Sequence, residues 1–169
     1  MPFKMRDVGP PLTEARISAL ERKLRIVLPA AYKSFLLLYN GGKPDPDCFP
    51  IRGWDRNPSG SIHYFDGIDK PINSSNIEWN YRILRGRMPR ELFPIAGDGS
   101  GNLICISLGG ANKGSVYIWN HDEEHAPPTY QNVYFIAETF EAFVDSIYHE
   151  PISEEEIARI LGKPIQRPH

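Results

Sequence analysis

The sequence predicts an α+β fold, with an N-terminal helical pair and a C-terminal helix packed on a central, mainly antiparallel sheet. Three observations predict it. Apolar residues recur at helical spacing before Gly41. Short apolar runs separated by glycine-rich breaks fill the stretch from Leu92 to Trp119. A helix-spaced apolar set returns after Thr139. Helices, then strands, then helices is an α+β order and not βαβ alternation.

The first helix is expected to start at Thr13, an N-cap residue followed by Glu14, whose charge suits the positive end of the helix dipole. Ile17, Leu20, Leu24 and Val27 form its apolar stripe. Leu28-Pro29 ends that helix and begins another, with Pro29 suited to the first helical position, where its missing N–H costs nothing. Tyr32, Phe35, Leu36 and Tyr39 make the buried face of the second helix. Asn40-Gly41-Gly42 closes it by supplying a left-handed C-cap. The segment 43–74 has no motif that can be placed: KPDPD and RNPSG read as turns, and 48–51 and 62–65 as short strands. Residues 75–85 read as a helix, with Ser75 and Glu78 as capping box and Ile77, Tyr81 and Leu84 on one face. Gly86 and Pro89 end it.

The runs 93–96, 103–108 and 116–119 have strand length and strand chemistry, and GDGSG and GGANKG between them read as hairpin loops with glycines at positive φ. A fourth strand, 133–137, leads into a helix from Thr139 that buries Phe140, Phe143, Val144 and Ile147. A last helix is capped by Ser153 with Glu156 as partner, presents Ile157, Ile160 and Leu161, and is stopped by Gly162-Lys163-Pro164. The expected organisation is one domain over 1–169, with a core of about 12–148 and a helical tail over 149–169.

Composition bounds the function. A chain of 169 residues with 41% hydrophobic and 24% charged residues is that of a soluble globular protein. A net charge of −2 argues against direct nucleic-acid binding, which needs a basic excess. Arg82, Arg85, Arg87 and Arg90 read as a solvated helix end and loop. Cys48 falls in a Pro/Asp-rich stretch and Cys105 in an apolar strand. Two cysteines are no disulfide framework, so a reducing cytoplasm is expected. MPFKMRDVGPPLTEARI lacks an apolar core, and no run approaches the roughly 20 apolar residues of a membrane span, so no lipid contact is expected.

The catalytic motifs fail on context. Gly97-Asp98-Gly99-Ser100-Gly101-Asn102 looks like a phosphate cradle, but a strand follows where a dinucleotide site needs a helix N-terminus. The same loop begins a calcium pattern, then places Leu103 where glycine belongs and Gly109 where the bidentate glutamate belongs. His121 and His125 have the spacing of a zinc-protease pair, which works only on a helix with Glu second; Asp122 stands there and Ala126-Pro127-Pro128 prevents the helix. A metal-dependent hydrolase using His121 and His125 is therefore the lesser reading, and no catalytic residue, metal or cofactor is expected. Asp45, Asp47, Asp55, Asp66 and Asp69 read as loop carboxylates. Trp54 is either a plug over the core or an interface anchor, and the Trp119 ring is expected at the sheet rim beside Asn120 and His121.

These pieces resemble the SUKH superfamily, which includes fungal cell-wall-synthesis regulators and many bacterial immunity proteins. The resemblance rests on Ile26-Val27-Leu28-Pro29-Ala30-Ala31-Tyr32, on Phe35 with Tyr39-Asn40-Gly41-Gly42, and on Phe93-Pro94-Ile95-Ala96 leading into the Gly97–Asn102 loop. It continues through Val116-Tyr117-Ile118-Trp119 with Asn120-His121-Asp122, and through Ile136-Ala137, Thr139-Phe140 and Phe143. It spans about Leu12 to Tyr148, and departs from the family pattern at Asn120, where Asp is expected. It implies a non-enzymatic protein-binding module, an immunity protein that neutralises a cognate secreted toxin, often a nuclease. The alternative is a regulatory scaffold binding host proteins. The expected contact surface is a concave face near Trp54, Asp98, Trp119, His121, Asp122 and Glu123, acidic enough to mimic nucleic acid and hasten encounter with a basic toxin.

Overall fold

A computed structural model describes residues 4–162. Strand β1 (Lys4–Arg6) precedes helices α1 (Glu14–Leu24) and α2 (Ala30–Tyr39). Four short strands follow, β2 (Lys43–Asp45), β3 (Cys48–Pro50), β4 (Ser59–Ser61) and β5 (Tyr64–Phe65), then helix α3 (Ile77–Ile83). Strands β6 (Leu92–Gly97), β7 (Leu103–Ser107), β8 (Val116–Trp119) and β9 (Val133–Ala137) lead to helices α4 (Phe140–Asp145) and α5 (Glu154–Ile160). The main sheet is an antiparallel meander in the order β5-β6-β7-β8-β9; β1 pairs with β2 and β3 with β4, both antiparallel.

The helical pair forms as the capping chemistry dictates. The Thr13 hydroxyl accepts the Arg16 N–H. Arg25 then turns left-handed and donates its N–H to Arg22 and Glu21, so α1 stops at Leu24. Val27 falls beyond that turn and lies 67% exposed, which corrects the expectation that it extends the buried stripe. Glu21 ties the corner, accepting the Leu28 N–H at 2.8 Å and facing Lys33 Nζ at 3.5 Å. Pro29 is the N-cap of α2 and not its first residue. Tyr32, Phe35 and Leu36 are buried, with Tyr39 partly so. Asn40 closes α2 at φ 49°, and its side chain stitches two loops together. Nδ2 donates to the carbonyls of Pro10 and Ile68, while Oδ1 accepts the Ile68 N–H.

Strand parity sorts the sheet into two faces. Phe93, Ile104, Ile106, Val116, Ile118 and Ile136 face the large core, shared with Tyr32, Phe35, Phe140 and Phe143 from α2 and α4. Leu92, Cys105 and Trp119 face a smaller core closed by Leu84 and Met88 from the end of α3 and the loop after it. A bulge between Pro94 and Ala96 lets both Ile95 and Ala96 enter the large core.

Other departures cluster in 43–85. KPDPD is partly strand β2, and β1 and β4 fall where the sequence predicts no strand. Ile62 lies between β4 and β5, buried but outside the ladder. The Ser75–Glu78 capping box does not form: Ser75 belongs to a 3-10 turn and Asn76 is the N-cap of α3. Glu78 instead binds Lys23 at 2.7 Å and Arg82 at 3.1 Å. In α5 the Ser153 hydroxyl caps Glu156 as expected, yet Ile157, Ile160 and Leu161 are exposed. Gly162 is left-handed; Lys163 and Pro164 lie outside the described residues.

Candidate partner-binding site

The principal concavity is a cleft of about 570 Å³ between the β2–β3–β4 segment and the β6–β7 loop. Asp47, Cys48, Ile51, Trp54 and β4 form one side; Asp98, Gly99, Ser100, Asn102 and Ile118 form the other. Arg6, Lys43, His63 and Glu150 add charge and polarity to the lining.

The β6–β7 loop is held rigid by its own aspartate. Asp98 Oδ1 accepts the N–H groups of Ser100 and Asn102, and Oδ2 accepts Asn102 Nδ2, all at 2.8 Å. Of the loop glycines only Gly101 takes a positive φ, 95°. Its absent Cβ would approach the His121 ring at 3.2 Å, so glycine serves both the turn and the histidine. Asn102 extends the network: its Oδ1 accepts the His121 N–H at 3.2 Å and lies 3.0 Å from His121 Nδ1. His121 Nε2 stands 3.2 Å from Asp122.

His121, Asp122 and Glu123 form a single 3-10 turn, capped by the Asn120 side chain, which accepts the Asp122 N–H. Asn120 thus occupies a capping role that aspartate would also fill. The acidic run is not a free cluster of charge. Arg87 forks onto Glu124 with bonds of 2.9 and 2.8 Å, holding that carboxyl below its usual range. Tyr134 donates its hydroxyl to Glu123, and burial followed by this bond raises the phenol. Tyr134 in turn stacks on Trp54, with centroids 4.6 Å apart and planes 7° from parallel.

Of the six residues expected at the contact surface, Trp54 and Asp98 line the cleft. His121, Asp122 and Glu123 adjoin it through Asn102 and Tyr134. Trp119 does not join them. It is 1% exposed in the smaller core, under the Arg87 guanidinium at 5.9 Å, which corrects the expectation of a rim-exposed ring. Trp54 is 9% exposed and packed in the large core, so the plug reading describes its ring; one edge still borders the cleft. The lining carries Arg6 and Lys43 as well as Asp47, Asp98 and Glu150, so it is mixed in sign and not an acidic mimic of nucleic acid. Among the described residues no three His, Cys, Asp or Glu side chains are grouped to hold a metal ion. No helix among them is long and apolar enough to cross a membrane.

The SMI1/KNR4 family model, SUKH-1, matches residues 11–146. The chain belongs to this family. The SUKH-1 chain is also 27% identical over 160 residues to the SPbeta prophage-derived uncharacterized protein YokK of Bacillus subtilis strain 168, covering 85% of this chain and 78% of that one. The segments carrying the resemblance, the α1–α2 corner, Asn40, the Asp98 loop and the Asn120 turn, hold the fold through capping and loop bonds.

Sequence reasoning missed Arg6, Lys43, His63 and Glu150, which come to the cleft from distant segments. Asp66 does lie outside helix and strand, as expected, but its burial, with 1% exposure, was not foreseen. Asp66 Oδ2 accepts Asn80 Nδ2 at 2.8 Å, Oδ1 has no hydrogen-bond partner, and burial raises the carboxyl to about 7. Its place directly after the apolar pair Tyr64-Phe65 was the available signal.

Proposed function

We propose that this SUKH-1 chain is a non-enzymatic immunity protein that binds and neutralises a cognate protein toxin, seating it at the cleft bounded by Trp54 and Asp98. The observation that carries the reading is the build of that cleft. A Trp54 ring locked by stacking on Tyr134 and a loop locked by three bonds to Asp98 make a rigid, polar concavity, the kind of surface that binds without reorganising. His121, Asp122 and Glu123 extend it as an adjoining rim. Family membership supports a binding role. The histidines support it too: His121 is bound to Asn102 and Asp122 on a 3-10 turn, not set beside His125 on a helix face. Both signs of charge in the lining favour a partner surface of mixed charge over a uniformly basic one.

The test is co-expression with the product of the adjacent reading frame. Relief of its toxicity and a complex that survives size-exclusion chromatography are expected. Unrelieved killing with no complex would overturn the reading.

A further inference from the structure

The β3–β4 hairpin has one edge paired and one edge open. Ile51 donates its N–H to Pro58 and Ile62 donates to Asp47, so the hydrogen-bonded positions of the ladder are 51/58, 49/60 and 47/62. The alternate residues point their backbone groups away from the hairpin. On β3 they are Cys48, whose two groups are exchanged with Tyr148 at 3.1 and 2.8 Å, and Pro50, which has no N–H to offer. On β4 they are Ser59 and Ser61, whose outward N–H and C=O groups form no backbone bond among the described residues. Ser59, Gly60 and Ser61 all line the cleft.

We propose that the outer edge of β4 is a strand-addition site, and that the toxin's contact includes an extended segment laid along it in the cleft. This rests on the immunity reading above. The occupant follows from the chemistry. Donors and acceptors repeating at every second residue match only another extended backbone. The side chains of β4 are small, so a second backbone can approach within strand spacing. Gly60 has no room for more: a Cβ there would meet the Phe49 ring at 2.6 Å, which holds that face flat against the core. An open edge is ordinarily an aggregation hazard, and here it is only three residues long and lies along a concavity. The flanking Arg6 and Asp98 supply opposite charges for the segment's side chains.

Proline tests it, because the first residue of an edge strand, with its N–H pointing outward, is a strand position that tolerates proline. Binding of the adjacent reading frame's purified product is measured by calorimetry for wild type, Leu38→Ala and Ser59→Pro. Wild type and Leu38→Ala, changed at an exposed position off the cleft, are expected to bind alike, with Ser59→Pro weaker by about tenfold or more from the lost main-chain bond and the clashing ring. Amide exchange on the wild-type complex, which needs no variant to fold, is expected to show the Ser59 and Ser61 amides slowed. Binding by Ser59→Pro within twofold of wild type, or unchanged exchange at both amides, overturns strand addition and leaves the immunity reading standing. Protection of these amides in a dimer of this chain alone overturns it in favour of self-pairing. Absence of any wild-type complex overturns both.

Discussion

Replacing Asp66 with asparagine will flatten the pH dependence of stability. The folded carboxyl titrates near 7 and the unfolded one near 3.8, because the fold encloses it and offers a single bond from Asn80. The raised value means that the folded state binds the extra proton, so stability is greatest in acid and falls as pH rises through this window. Integrated between pH 5 and pH 8, the loss is about 2.5 kcal/mol. The Asp66→Asn variant carries no such titration. Its amide oxygen still accepts from Asn80, while its amino group stands where Oδ1 finds no partner, a fixed cost of about 1–3 kcal/mol that is equal at both pH values. The variant's stability relative to wild type is therefore expected to rise by about 2.5 kcal/mol from pH 5 to pH 8. Urea unfolding of both proteins at both pH values measures it. Other titrating groups cancel between the two chains. Tyr32 and Tyr64, whose phenols the Asp66 charge helps to raise, are protonated throughout the window. A difference constant to within about 0.5 kcal/mol would refute the claim that the buried carboxyl is the titrating group.

Three further outcomes follow from the packing. Asn40→Ala removes three bonds between α2 and the loops at Pro10 and Ile68 and places alanine in a left-handed turn; unfolding free energy is expected to drop by about 3 kcal/mol or more in chemical denaturation. Gly60→Ala drives a methyl into the Phe49 ring, and about 1–3 kcal/mol should be lost, with Gly99→Ala near neutral because nothing lies within 4 Å of its Cβ position. Arg87→Ala breaks a half-exposed fork onto Glu124, and the change should stay under about 1 kcal/mol and shrink in high salt.

Local chemistry made part of the fold legible. The Thr13 and Thr139 caps, the Asn40 turn and strands β6 to β9 follow from residues close together in the chain. What escaped was pairing at a distance. Lys4–Arg6 and Ser59–Ser61 have no apolar alternation; they are strands because β2 and β3 lie beside them. Ser75 lost its capping role because the preceding residues wind into a 3-10 turn and Lys23, from α1, draws Glu78 away. The site divided the same way. The Asp98 loop was readable as the hairpin connection between β6 and β7, while the bonds from Asp98 and the Asn120 cap came only with the structure. Trp119 was misplaced because parity puts it opposite Ile118, and only the distant Leu84 and Met88 decide that this face is covered.

The most direct test of the central claim compares two arginine substitutions for binding to the adjacent reading frame's product. Ser100→Arg obstructs the cleft from an exposed loop position, and Leu38→Arg alters an exposed site on α2 that is no part of the cleft lining. Calorimetry is expected to find binding abolished by Ser100→Arg and unchanged by Leu38→Arg. Full binding by Ser100→Arg, with both proteins folded, would contradict it.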